Sequence, residues 1–139
     1  MKSSGRERSF FVRPHEKWLA QANDDLAFAK LGIKEGFPSQ VCFLSQQVVE
    51  KSFKAFLLAK NRPYPRLHKV VELATLCKEI TNKLTTFKND LKILDEFYIP
   101  TRYPDAVPGS LPTGLPSEQD AQHALQTAQK ILELIEQEI

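Results

Sequence analysis

"SQVCFLSQQVVEKSFKAFLLAK", residues 39–60, decides the fold. At helical spacing it carries two adjacent apolar rows: Val41, Leu44, Val48 and Ala55 in one, Cys42, Val49, Phe53 and Phe56 in the other. A surface helix of a globular protein shows a single apolar stripe. Two rows need neighbours on more than one side, so this segment is expected to be the central, most buried helix. Ser39 is placed as its N-cap. One polar strip survives on it, Gln47, Glu50, Lys51 and Lys54. Such a strip must face a cleft, an interface or solvent, because buried charges need partners.

Upstream, Trp18, Ala22, Leu26, Ala29 and Ile33 recur at spacings of four and three, which predicts a first helix opening near Pro14. Gly36 suits a left-handed cap at its end, and Pro38 follows. Downstream, "NRPYPRLHK" (61–69) breaks the central helix with two prolines. A third helix follows, with Val70, Ala74, Cys77 and Ile80 facing inward. A fourth is expected from about Thr86 to Tyr98, with Phe87, Leu91, Leu94 and Tyr98 on its buried face; Pro100 limits it. "PDAVPGSLPTGLP" (104–116) reads as a loop. Ser117 then caps a last helix whose stripe is Ala121, Ala124, Leu125, Ala128, Ile131, Leu132 and Ile135. No window alternates as a half-buried strand would. The expected architecture is all-α: an antiparallel four- to five-helix up-and-down bundle over residues 14–139, preceded by a flexible basic arm at 1–13.

Composition agrees with one domain. Of 139 residues, 42% are hydrophobic and 26% charged, the balance of an ordinary globular protein. A net charge of +2 does not by itself call for a nucleic acid. Cys42 and Cys77 lie in apolar helical patterns without ligand spacing, so two reduced, buried thiols in a cytoplasmic protein are expected, with no metal and no cofactor. No apolar run approaches the about 20 residues of a membrane span, and no signal peptide is expected. Trp18, Phe43 and Phe53 read as core aromatics. Gly-rich phosphate loops and nucleophile motifs do not occur.

Four segments carry a further resemblance: "ANDDLAFAK" (22–30), "CFLSQQVVEKSFKAFLLAK" (42–60), "PRLHKVVEL" (65–73) and "FYIPTRYPD" (97–105). In this order they resemble the HEPN domain family, over about residues 14–137. The resemblance implies a small helical bundle that dimerises and a neighbouring minimal nucleotidyltransferase, the two read as a toxin–antitoxin module. It also implies, in some branches, metal-independent ribonuclease activity resting on an Arg, four to six residues and a His. Five residues lie between Arg62 and His68, which fits that spacing, although two of the five are prolines. In such a pair the His exchanges the 2′-hydroxyl proton and the Arg stabilises phosphorane charge.

Around "YIPTRYPD" (98–105), Arg102 offers a planar fork for phosphate or carboxylate, and Tyr98 and Tyr103 offer ring faces for a base. Asp105 can orient Arg102. The competing reading ties Arg102 internally to Asp24, Asp25 or Glu50. The candidate ligand-binding set is therefore Gln47, Lys51, Lys54, Tyr98, Arg102 and Tyr103, with Asp24, Asp25, Glu50 and Asp105 as a structural charge network. Three functions stay open. The leading one is a homodimeric module binding a nucleotide or RNA phosphate. The others are an endoribonuclease using Arg62 and His68, and a pure protein-interaction or antitoxin-like partner.

Overall fold

The computed structural model describes residues 12–98 and 114–139. Its helices are α1 (Pro14–Glu35), α2 (Pro38–Ala59), α3 (Val70–Cys77), α4 (Lys88–Asp95) and α5 (Glu118–Glu138), with a short 3-10 turn at Thr85–Phe87. The fold is an all-α bundle.

The central position of α2 follows from its two rows. Val41, Cys42, Val48, Val49, Phe53, Ala55 and Phe56 are all fully buried. α1 and α5 make the most extensive contacts with α2. α1 presents Ala22, Leu26 and Ala29, α3 presents Val70, Leu73, Ala74 and Cys77, and α5 presents Ala121, Ala124, Ala128, Ile131, Leu132 and Ile135. The small residues of α1 and α5 let three backbones approach one another. At Gly32 the approach is closest, since a Cβ there would lie 2.7 Å from Val41 Cγ2.

Helix ends are set by local chemistry. α1 ends at Gly36, whose φ of 83° is left-handed, and the Phe37 amide reaches back to the Gly32 carbonyl at 2.9 Å. α2 begins two residues earlier than expected, with Phe37 and not Ser39 in the N-cap position. Pro38 takes the first helical position, and Ser39 is buried in the first turn and makes no cap. A proline there needs no N–H partner and already has helical φ. The end of α2 is fixed before either proline. Asn61 adopts φ 61°, and the Arg62 amide bonds the Leu57 carbonyl at 2.8 Å, a left-handed cap that leaves Pro63 and Pro65 in the following loop. Ser117 caps α5, accepting from the Asp120 amide at 3.0 Å while Asp120 accepts from Ser117 N at 2.9 Å.

Side-chain pairs fix the chain direction. Lys51 meets Asp25 and Lys54 meets Trp18, so α1 and α2 are antiparallel. Asp120 at the start of α5 lies near Cys42 at the start of α2, and Asn23 of α1 donates to Glu136 near the end of α5 at 3.0 Å, so α5 runs with α2 and antiparallel to α1. The segment 60–69 runs back along α2, which starts α3 beside Gln46 and returns it to Phe53, in the same direction as α2. α4 then climbs back to place Asp95 at the start of α3. It is shorter than the sequence implies: the helix loosens after Asp95, and Phe97, not Tyr98, enters the core. Likewise α3 stops at Cys77, leaving Ile80 only half-buried.

Candidate functional site

The polar strip of α2 does not face open solvent. Glu50 and Lys54 are buried, at 6% and 5% exposure, and form an ion pair of 2.8 Å within the helix. Two such charges are costly to desolvate and persist only with further partners. The partners come from elements on both sides of α2. Trp18 of α1 and Tyr64 of the 60–69 segment meet edge to face, with centroids 5.6 Å apart and planes at 86°. Lys54 Nζ lies 5.4 Å from the Trp18 ring centroid and 5.5 Å from that of Tyr64. An ammonium over aromatic faces is stabilised by their quadrupoles, more so when water is excluded.

Glu50 is the hub. Its Oε2 accepts from Lys54 and lies 3.2 Å from His68 Nδ1, and its Oε1 accepts from Gln47 Nε2 at 3.3 Å. Gln47 also donates to Gln46 Oε1 at 2.9 Å. Gln46, itself fully buried, donates to the His68 carbonyl at 3.0 Å and to Asp95 Oδ1 at 3.4 Å. Asp95 then caps α3 from another helix, accepting from the amides of Val70 (2.8 Å) and Val71 (3.0 Å). Burial pushes the Asp95 carboxyl above its ordinary range, opposed by those two amides, by Gln46 and by Lys69. A continuous polar chain thus links α2, the 60–69 segment, α3 and α4.

His68 is the outward end of this chain. Its backbone is held by Gln46 and its Nδ1 by Glu50, and its ring stacks on Tyr98 at 5.8 Å between centroids with planes 12° apart. Its side chain is nonetheless 53% exposed. With Nδ1–H donating to the carboxylate, Nε2 carries the lone pair, the arrangement of an imidazole able to accept a proton or contact a ligand.

The other expected residues fall as follows. Lys51 pairs with Asp25 across α1 and α2, and Asp24 is exposed and takes no part in the network. Arg62 is engaged by Glu79 at 2.8 Å, and among the described residues no hydrogen bond or ion pair joins it to His68. Lys54, expected as a ligand contact, is enclosed by Glu50, Trp18 and Tyr64. Arg102, Tyr103 and Asp105 lie outside the described residues, as do residues 1–11 of the expected arm. Of the three aromatics read as core, only Phe53 is buried. Trp18 covers Lys54, and Phe43 lines a surface groove. Gln46, Tyr64 and Asp95 were not anticipated in the site, and Trp18 was anticipated only as core. The side-by-side glutamines were visible, but the cap that Asp95 lends to α3 has no local signature. Among the described residues no three His, Cys, Asp or Glu side chains converge as a metal site would need, and no helix is long and apolar enough to cross a membrane.

The comparisons with known proteins bear on this arrangement. The family model described as "HEPN domain" matches residues 15–138. The chain belongs to the HEPN domain family. A Methanocaldococcus jannaschii protein named "Putative toxin MJ1304" is 26% identical over 137 residues, covering 93% of this chain and 90% of the relative. Two solved structures share the fold. One is ST0689, described as an archaeal HEPN homologue, with 30% identity and a TM-score of 0.71 over 91% of this chain and 98% of that one. The other is TT1696 from Thermus thermophilus, with 29% identity and a TM-score of 0.73 over 92% of this chain and the whole of that one. The buried Glu50–Lys54–His68 network is therefore carried on a HEPN bundle.

Proposed function

We propose that this HEPN domain is one half of a toxin–antitoxin-type pair and binds RNA or a nucleotide phosphate at the face where His68 emerges. One observation carries the reading: a half-exposed imidazole held by Glu50 and by stacking on Tyr98, at the mouth of an otherwise enclosed charge network. Tyr98 opens "YIPTRYPD", so Arg102 and Tyr103 follow within five residues and supply a phosphate fork and a second ring. The relative that bears a toxin's name supports the pair. Its other member is a minimal nucleotidyltransferase, and the domain acts as a cytoplasmic homodimer. Lys51 and Lys54, both ion-paired internally, hold the site together and do not contact the ligand.

The test is fluorescence anisotropy with labelled single-stranded RNA and with mononucleotides. Arg102→Ala and His68→Ala are expected to weaken binding by about tenfold or more while the melting temperature stays put. Binding that is unchanged in both variants rejects the site.

A second reading is favoured by the Glu50–His68 contact. Nε2 is then the base that takes a 2′-hydroxyl proton, and the domain is an endoribonuclease. Cleavage of the same RNA, lost in His68→Ala and retained in Arg62→Ala, would separate this from the Arg62–His68 pair, since Arg62 is occupied by Glu79.

A further inference from the structure

α3 begins in an unusual way. Its N-cap is Lys69, extended at φ −82° and ψ 131°, and the lysine side chain makes no cap hydrogen bond. An ammonium carries donors only and cannot accept from a helix amide. α5 shows the ordinary solution, a serine in its own N-cap position. α3 takes its cap instead from Asp95 at the end of α4, 25 residues beyond Val70, and that carboxylate is half-buried in the process. A serine at position 69 could satisfy α3 amides without drawing a charge out of water. What the distant cap adds is a link between α4 and the segment that carries His68.

The link closes on His68 from two sides. On one side is the backbone. Gln46 holds the His68 carbonyl and reaches Asp95 Oδ1, while Asp95 holds the amides of Val70 and Val71. The chain on which His68 hangs is therefore pinned from residue 68 to residue 71. On the other side is the ring. The Asp95 carbonyl accepts from the Tyr98 amide at 3.2 Å, and Phe97, 1% exposed, anchors the same turn in the core. That turn brings the Tyr98 ring against the imidazole. Asp95 thus bonds the strand of chain beneath His68 through its side chain, and the turn above it through its carbonyl.

We infer that Asp95 is the positioning residue of the His68 site, holding the His68 backbone and Tyr98 in one register so that Nδ1 meets Glu50 and Nε2 is left with the lone pair. The inference rests on the reading of His68 as the group that meets the ligand. Asp95 acts only through other residues. Glu50 cannot do this work alone, because a single hydrogen bond to Nδ1 lets a ring that is half in solvent swing about it. A functional side chain is held to within about 0.5 Å only when the residues around it are themselves locked by packing and hydrogen bonds. Gln46 and Asp95 lock the backbone, and Tyr98 locks the ring plane.

The experiment separates positioning from capping. Lys69→Ser gives α3 a local cap, and Asp95→Ala removes the distant one, so the double variant has a capped α3 with no tie to α4. The single variant Lys69→Ser is the reference, since it also removes the charge that Lys69 sets beside Asp95. Imidazole nitrogen and proton shifts of the full ¹⁵N-labelled chain are read at alkaline pH, where imidazoles are neutral. In the wild type and in Lys69→Ser, His68 is expected to be the Nδ1–H tautomer, with its ring protons shifted upfield by Tyr98. In Asp95→Ala both tautomers are expected, and the upfield shift is lost. The double variant is expected to regain amide protection in α3 but neither His68 signal, and to bind RNA about tenfold more weakly than Lys69→Ser. If Asp95→Ala does not fold, Asp95→Asn takes its place in both chains. It keeps the shape and one acceptor oxygen but turns an NH₂ group toward an α3 amide, and a mixed tautomer is again expected. A His68 that keeps its tautomer and its upfield shift without Asp95, or regains both in the double variant, overturns the inference and leaves Asp95 a cap. The tautomer is read without RNA, so a wild-type chain that fails to bind RNA rejects the function proposed above while the role of Asp95 is still decided.

Discussion

At the scale of single residues, Glu50 is the critical position. It satisfies Lys54, Gln47 and His68 with two oxygens, and nothing else on α2 can replace it. Glu50→Ala leaves a buried ammonium against two aromatic rings without a counter-charge. Truncating one partner of a buried pair costs about 3–5 kcal/mol, read as the shift of a urea midpoint. The double variant Glu50→Met, Lys54→Met removes both charges and is expected to recover most of that loss while losing the fixed orientation of His68. Recovery of stability without recovery of RNA binding would separate packing from function. A glutamine at position 50 keeps the shape and removes the charge, so it should fall between these limits. The cysteines behave oppositely to functional thiols. Burial pushes Cys77 up to about 12, and burial with the nearby Asp120 does the same for Cys42. Both stay protonated at pH 8. Labelling by a thiol-specific disulfide reagent at that pH is expected only at the rate of global opening, and rapid labelling of the native chain would contradict it.

At the scale of elements, the contact between α1 and α2 is limited by Gly32. An alanine there brings Cβ to 2.7 Å from Val41 Cγ2, in a position where α1 backs onto the central helix. The methyl must push the two helices apart or force Val41 from its rotamer. A loss of about 1–3 kcal/mol is expected by thermal or denaturant unfolding, with partial relief from Val41→Ala in the same chain. α3 depends on a distant helix for its start. Asp95→Ala unties the amides of Val70 and Val71 and should cost about 1–2 kcal/mol, with early exchange of amides in α3 as the local sign.

These elements also show how far the sequence could be read. The two apolar rows of α2, the Gly36 cap and the Ser117 cap follow from local periodicity and local chemistry, and they appear where expected. Asn61 was hidden because a left-handed asparagine has no strong sequence mark, and the prolines after it offer a more obvious stop. The burial of Lys54 was hidden for a different reason. Trp18 and Tyr64, which enclose it, lie 36 residues before and 10 residues after it in the chain. A tryptophan at helical spacing reads as core until the neighbouring helix shows which polar group it covers. The site was legible in part: Gln47, Glu50 and His68 were named, but their linkage through Gln46 and Asp95 is a product of the fold.

At the scale of the whole molecule, two unrelated surfaces lie on one small bundle. The His68 face ends an internal charge network, and the α1–α2 groove is lined by no charged side chain. α2 contributes to both, Gln46, Gln47, Glu50 and Lys54 to the network and Gln40, Phe43 and Leu44 to the groove. His68→Ala is therefore expected to weaken RNA binding, while substitutions in Phe28 or Gln40, which take no part in the network, leave it unchanged, as fluorescence anisotropy on both variants would show.

The position of Trp18 gives these experiments their own optical signal. It is the sole tryptophan of the chain, and it sits directly beside the Lys54 ammonium and the Tyr64 ring. The indole excited state is sensitive to a neighbouring positive charge, so the emission maximum should move when Lys54 becomes Met and stay fixed when residues of the α1–α2 face are changed. Unlabelled protein thus reports on the state of its central charge cluster through intrinsic fluorescence, in solution and without a probe attached.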